Sequence, residues 1–236
     1  MKILGDSYTI SDFRKYVMEK GLGSIPPTSL VIHHTWRPTK AQWQGKKSIY
    51  GMKSYYENTK KWNAGPHLFI AEDGVWTFTD MYDVGIHAGV GNSTYKWGKL
   101  TGYSIGIEVV GDYDNEIWTG KTKKNALATI KILMDKLNLN YEDIRFHRDF
   151  STKSCPGHAI KKQWLIGELK AMSSDGKQTA TVSNTEPSAW AKEAWAWFRR
   201  NSFDDSVSPH QEVHAEWVAT MIHSFYNKYK GKKIKK

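Results

Sequence analysis

Two histidines and one cysteine give the first sign of chemistry. His33 closes a short apolar run, Leu30-Val31-Ile32-His33, and His147 closes another, Ile144-Arg145-Phe146-His147. Cys155, the single cysteine of the chain, follows His147 by eight residues in a loop that ends Cys-Pro-Gly. Catalytic zinc sites use three protein ligands and keep a further position open for water. Imidazole and thiolate both suit that metal, so the trio reads as a metal site. A plainer reading is also open, in which each histidine is buried and hydrogen-bonded and the cysteine is a small hydrophobe. Glu108 poses a similar choice. It sits within Ser104-Ile105-Gly106-Ile107-Glu108-Val109-Val110, an apolar run in which a carboxylate needs a reason. Either it is a general base, or Gly106, Glu108 and Val110 share the solvent face of an edge strand. Lys153, two residues before Cys155, is on its own a surface residue of Ser-Thr-Lys-Ser-Cys.

The elements that must hold these residues alternate in type. The run 30–33 reads as a buried strand. The runs 67–71 (HLFIA) and 75–79 (VWTFT) flank Asp73-Gly74, a hairpin signal. Residues 103–111 (YSIGIEVVG) and 144–147 (IRFH) are further strands. Residues 122–139 place Ala126, Ile130, Leu133 and Leu137 on one helical stripe, and 158–172 predicts a closing helix. This pattern predicts an α/β fold, a central mixed sheet flanked by helices. Residues 171–187, rich in Ser, Thr, Asn, Asp and Gly, read as a linker. Beyond it, Trp190, Ala194 and Trp197 form one helical stripe and Val213, Trp217, Met221 and Phe225 another. The second begins Ser208-Pro209-His210-Gln211, a capping box. The expected organisation is a domain at 1–170, a linker at 171–187 and a small all-helical module at 188–236.

Composition narrows the class. At 236 residues, 39% hydrophobic and 25% charged, the chain is long enough for a real core. A single cysteine excludes an intrachain disulfide. The net charge of +10 favours an anionic partner. Nucleic acid is not the expected one: basic residues are scattered, only the last nine form a dense run, and no nucleic-acid motif appears. Anionic wall polymers such as teichoic acid fit the charge as well, and the 11 Trp and 12 Tyr suit sugar rings. No run of 18 apolar residues predicts a membrane span. The opening MKILGDSYTISDF has no apolar core and does not read as a secretory signal.

Four stretches in order, VIHHT (31–35), IHAGVGN (86–92), YSIGIEVVG (103–111) and FHRDFSTKSCPG (146–157), resemble the N-acetylmuramoyl-L-alanine amidase type 2 family. That family includes phage lysozyme-amidases and the peptidoglycan recognition proteins, and the likeness runs over about residues 25–170. The resemblance implies a zinc enzyme that cleaves peptidoglycan between the muramic acid lactyl group and L-alanine. It puts the zinc ligands on His33, His147 and Cys155, with His34 beside the first of them in the cleft. Members that only bind peptidoglycan commonly lack the cysteine, so Cys155 argues for an enzyme. The resemblance makes Glu108 the proton shuttle and Lys153 a stabiliser of the oxyanion. His67, His87 and Asn92 become substrate-cleft candidates, with structural roles equally open. One departure stands out. Many members carry a catalytic tyrosine immediately before the histidine that matches His67, and here that residue is Pro66. Either Glu108 moves the proton alone or a nearby tyrosine substitutes.

The segment from EPSAW to IHSFY is similar to the surface-layer-homology-like wall-binding modules of phage endolysins. Together these features lead to the expectation of a phage or prophage endolysin. Such a protein would be made in the cytoplasm without a signal peptide and would act on the wall after release, with peptidoglycan as its partner.

Overall fold

The computed structural model describes residues 1–21 and 24–178, together with His223. The chain divides into two compact units, Met1–Ser174 and Asp175–Lys236. The helical module expected at 188–236 lies, His223 apart, outside the described residues, as does the 179–187 part of the expected linker.

The first unit is built on one seven-stranded mixed sheet. Its strands are β1 (Ser7–Tyr8), β2 (Pro27–His34), β3 (Leu68–Ala71), β4 (Gly74–Thr77), β5 (Ser93–Lys96), β6 (Lys99–Val109) and β7 (Ile144–Phe146). They lie in the order β1-β4-β3-β6-β2-β7, with β5 paired to β6. The strands that carry the chemistry, β3, β6, β2 and β7, are mutually parallel. The helices are α1 (Ile10–Glu19), α2 (Lys46–Ser54), α3 (Gly120–Leu137) and α4 (Lys162–Gln178). The expected α/β architecture is therefore the observed one.

Alternation along the strands sorts the core. Leu30 and Ile32 of β2, Ile105, Ile107 and Val109 of β6, and Leu68 and Ile70 of β3 point to one side. There they pack with Phe13 and Val17 of α1, Ile130 and Leu133 of α3, and Leu165 and Leu169 of α4. The intervening residues point to the other side, where Phe69, Trp76 and Phe78 meet Ile49 of α2 and Tyr56 in a smaller cluster. Register then decides what shares that second face: His33 stands opposite Glu108, and Glu108 opposite Phe69. Side chains directly opposite one another lie on the same side of a sheet. A histidine and a carboxylate 75 positions apart are thus neighbours by strand pairing.

Several elements differ from the sequence reading. β6 begins at Lys99, four residues earlier than expected, and folds back as a hairpin with β5. The turn residues Trp97 (φ 48°) and Gly98 (φ 75°) both have positive φ, the conformation of tight hairpin turns. Only Gly98 advertises this in the sequence. α1 was not anticipated, although Thr9 caps it by accepting from the Asp12 amide at 3.2 Å and Phe13 and Val17 are its buried face. α4 starts at Lys162 rather than 158 and continues to Gln178, so the first eight residues of the expected linker are helical. No helix among the described residues is long and apolar enough to cross a membrane.

Candidate metal centre and active site

The site forms where the parallel strands end. β2 delivers His33, β6 delivers Glu108, and the chain leaving β7 delivers His147; carboxyl ends of strands are where open α/β sheets place their ligands. A cleft of about 530 Å³ opens there, with His33, Glu108, His147, Lys153 and Cys155 in its walls.

Cys155 is brought in by a loop with one principal anchor. Arg148 Nη1 donates to the carbonyls of Ser154 and Gly157, both at 2.8 Å, and Nη2 donates to the carbonyl of Ile160. The Arg148 amide also donates to the Cys155 carbonyl at 2.9 Å. The planar guanidinium fork, with five donors, can hold several carbonyls at once. Cys155 thereby comes within 3.6 Å of His33 Nδ1. The ligand atoms of His33, His147 and Cys155 all lie within 4.8 Å of one another.

Hydrogen bonds set the tautomers. His87 Nε2 faces the Ser104 carbonyl and the Ser104 hydroxyl, both at 3.4 Å; the carbonyl can only accept and the hydroxyl already donates to the Gly91 carbonyl at 2.6 Å, so that nitrogen carries the proton. His87 Nδ1 is then the acceptor for His33 Nε2–H at 3.1 Å. His33 is left with its Nδ1 lone pair aimed at Cys155. Such a partner on the far ring nitrogen is what orients metal-binding histidines. Gly106 makes room for it, since a Cβ there would lie 2.5 Å from the His87 ring. Burial, reinforced by His87 and His147, keeps His33 well below the usual histidine range, and burial followed by Lys153 lowers His147. Both imidazoles are therefore neutral at neutral pH, as ligands must be.

Burial also pushes the Cys155 thiol up, with Glu108 adding to the effect. The His34 amide, donating to Cys155 Sγ at 3.4 Å, and Lys153 oppose it. A buried thiolate here needs a cation to offset its charge, and two neutral imidazoles beside it complete a borderline-soft donor set. The donors fit a divalent metal of the zinc type.

Glu108 is buried, and β2 and β3 flank it on either side. The alternative of a solvent-facing edge-strand glutamate does not hold. Its Oε2 has no hydrogen-bond partner among the described residues. Burial raises its pKa to about 8, with Lys153 pulling the other way. Lys153 itself is exposed at the cleft wall.

The remaining candidates divide. His34 lines the cleft, but its Nδ1 accepts from the Tyr113 amide at 3.1 Å. His87 also lines it, with both ring nitrogens engaged as described. His67 and Asn92 are not among the cleft walls. His67 is fully buried, accepting from the Gly106 amide at 2.9 Å through Nδ1 and donating through Nε2 to the Asp83 carbonyl at 3.0 Å. Asn92 Oδ1 accepts from the amides of His87 (3.0 Å) and Ala88 (2.6 Å) and so fixes the loop that carries His87. Sequence reasoning missed the aromatic walls Trp36, Tyr55, Tyr56 and Trp62. They come from polar stretches without periodicity. It also missed Arg148, whose only signal is its place beside His147.

Fold and site together define an α/β protein with a two-histidine, one-cysteine metal-type centre and a buried carboxylate in one cleft. The chain belongs to the N-acetylmuramoyl-L-alanine amidase family (Amidase_2), whose profile matches residues 23–158. Among solved structures it is similar to the amidase LysC from Clostridium intestinale URNW (23% identity, 64% of this chain and 91% of that one, TM-score 0.49). It is also similar to the endolysin amidase LysCS from the same organism (23%, 62% and 85%, TM-score 0.47). Drosophila PGRP-LB gives 23% identity over 58% of this chain and 80% of that one, with a TM-score of 0.46. No curated protein sequence matches the chain.

Proposed function

We propose that the protein is a zinc-dependent N-acetylmuramoyl-L-alanine amidase, cleaving the amide between the muramic acid lactyl group and L-alanine of peptidoglycan. The observation that carries this reading is the meeting of His33, His147 and Cys155 with a buried carboxylate in one cleft, in a chain of this family. Zinc held by the three ligands would lower the pKa of water and polarise the amide carbonyl. Glu108 accepts the proton of the attacking water and passes it to the leaving nitrogen of L-alanine. Its raised pKa suits the second half of that transfer, in which it delivers the proton, while Lys153 and a bound cation would favour the carboxylate that the first half needs. Lys153 offers an ammonium to the oxygen that gains charge as the carbonyl carbon becomes tetrahedral. His87 and Asn92 hold His33 and its loop in place, and His34 steadies the Cys155 sulfur through its amide.

The biological role we read is that of a phage or prophage endolysin, made in the cytoplasm and acting on the wall after release. The support is the basic net charge of +10 and the Trp-striped segment 188–236, read as a wall-binding module.

The test is the reaction itself. The purified chain is incubated with a soluble muramoyl-tripeptide, and products are identified by mass and by the newly freed N-terminus. Free peptide beginning with L-alanine should appear, disappear with a chelator and return with zinc. Cleavage of a glycosidic or peptide bond instead, or activity indifferent to chelation, would rule the reading out. A chain ending at residue 175 should cleave the same soluble substrate at a similar rate but bind intact walls less well at both low and high salt. Loss of wall binding only at low salt would leave charge alone as the tether.

A further inference from the structure

Among the polar groups of the cleft that the mechanism leaves unused is the hydroxyl of Tyr56. Tyr56 belongs to a wider, π-type turn, Tyr55–Thr59, that continues α2. Such turns are rare and recur at functional sites, because they rotate a side chain out of helical register. Tyr56 is buried and lines the cleft. Its ring is clamped by Trp62, stacked at 5.4 Å, and by Phe78, edge-on at 5.8 Å. Tyr56 shares that cleft with Glu108, His33, His147 and Cys155. Burial, followed by Glu108, holds its pKa well above the usual tyrosine value, so it is a donor at every working pH.

The same ring lies against the strand entry that carries Pro66. A Cβ on Gly65 would meet Tyr56 Cδ2 at 3.1 Å and Phe78 at 2.7 Å. The space beside Pro66 is therefore filled by a phenol from another element, and Gly65 is what admits it.

We propose that Tyr56 is a catalytic residue whose hydroxyl donates a hydrogen bond to the carbonyl oxygen of the scissile amide, sharing its developing charge with Lys153. This rests on the amidase reading. No bond to tyrosine forms and no proton leaves it. The donor strengthens as charge builds on the oxygen, so it acts on kcat more than on substrate affinity.

Tyr56→Phe keeps the ring and its packing and removes only the donor. On the soluble muramoyl-tripeptide, kcat should fall by about 10²-fold, the scale of losing one oxyanion donor, with KM, zinc content and Tm held. A variant that turns over at close to the wild-type kcat overturns the assignment while leaving the amidase reading intact. A fall in kcat accompanied by lost zinc or a clearly lowered Tm assigns Tyr56 to packing and overturns it as well. A wild-type chain that releases no L-alanine-terminated peptide sinks the amidase reading, and this inference with it.

Discussion

The two faces of the central sheet are made by the same strands and do opposite things. On one, Leu30, Ile32, Ile105, Ile107, Leu68 and Ile70 form an apolar surface covered by α1, α3 and α4. On the other, the neighbouring residues of the same strands include His33, Ser104, Gly106 and Glu108, and the apolar cover of α2 and Tyr56 extends over only part of it. The first face supplies folding free energy through burial. The second gives some of that up, keeping a carboxylate and neutral histidines buried at a cost the first face offsets. Adjacent residues on one strand can therefore fail in different ways.

Ile107 and Glu108 give the sharpest form of that contrast. Glu108→Gln should lower kcat by about 10²–10⁴-fold, the worth of a general acid–base group, with zinc and Tm retained. Turnover within a few-fold of wild type would remove Glu108 as the shuttle. Ile107→Ala, one residue away, should instead cost about 2–5 kcal/mol of stability in denaturant titration, the usual range for Ile→Ala in a core. Its kcat per folded, zinc-loaded molecule should stay near wild type. If that kcat collapsed too, the division of labour between the faces would be wrong.

The smallest effect concerns acid. His67 has a folded pKa of about 4 against an ordinary 6.5, chiefly through burial. A depressed folded pKa means that the unfolded chain takes up the proton first. The stabilisation is complete above about pH 6.5 and is lost as pH falls toward 4. At about 1.4 kcal/mol per pH unit, this group should contribute a loss of order 1 kcal/mol by pH 5.5. Comparing wild type with His67→Gln by denaturant titration between pH 7 and 5 isolates it. Parallel pH profiles would show that the His67 bonds to Gly106 and Asp83 do not matter in this way.

How much of this was legible from sequence depended on whether a residue's role was local. β2, β6, β7 and α3 follow from runs and stripes of apolar residues, and two of the three candidate metal ligands, His33 and His147, sit at strand ends that the same runs define. Register is not local. Nothing in 104–110 says that Glu108 faces His33 rather than water; that follows from β6 having a partner on each side. His87 illustrates the same limit, since its function is a hydrogen bond to a residue 54 positions away. Tyr56 sits in a polar stretch without periodicity, and its turn toward the cleft depends on a π-type turn that no composition signal marks. β5 was hidden because Trp97 adopts a left-handed conformation that a bulky residue rarely takes.

Arg148 has a consequence for how the ligand loop can change. Its guanidinium recognises the carbonyls of Ser154, Gly157 and Ile160, groups that every amino acid possesses. The loop is thus indexed by counting along the backbone and not by what its side chains are. Substitutions at exposed positions such as Thr152 leave that index intact, whereas inserting or deleting one residue between Arg148 and Ser154 shifts all three carbonyls relative to the guanidinium at once. By this arrangement the composition of the loop is free to vary while its length is not.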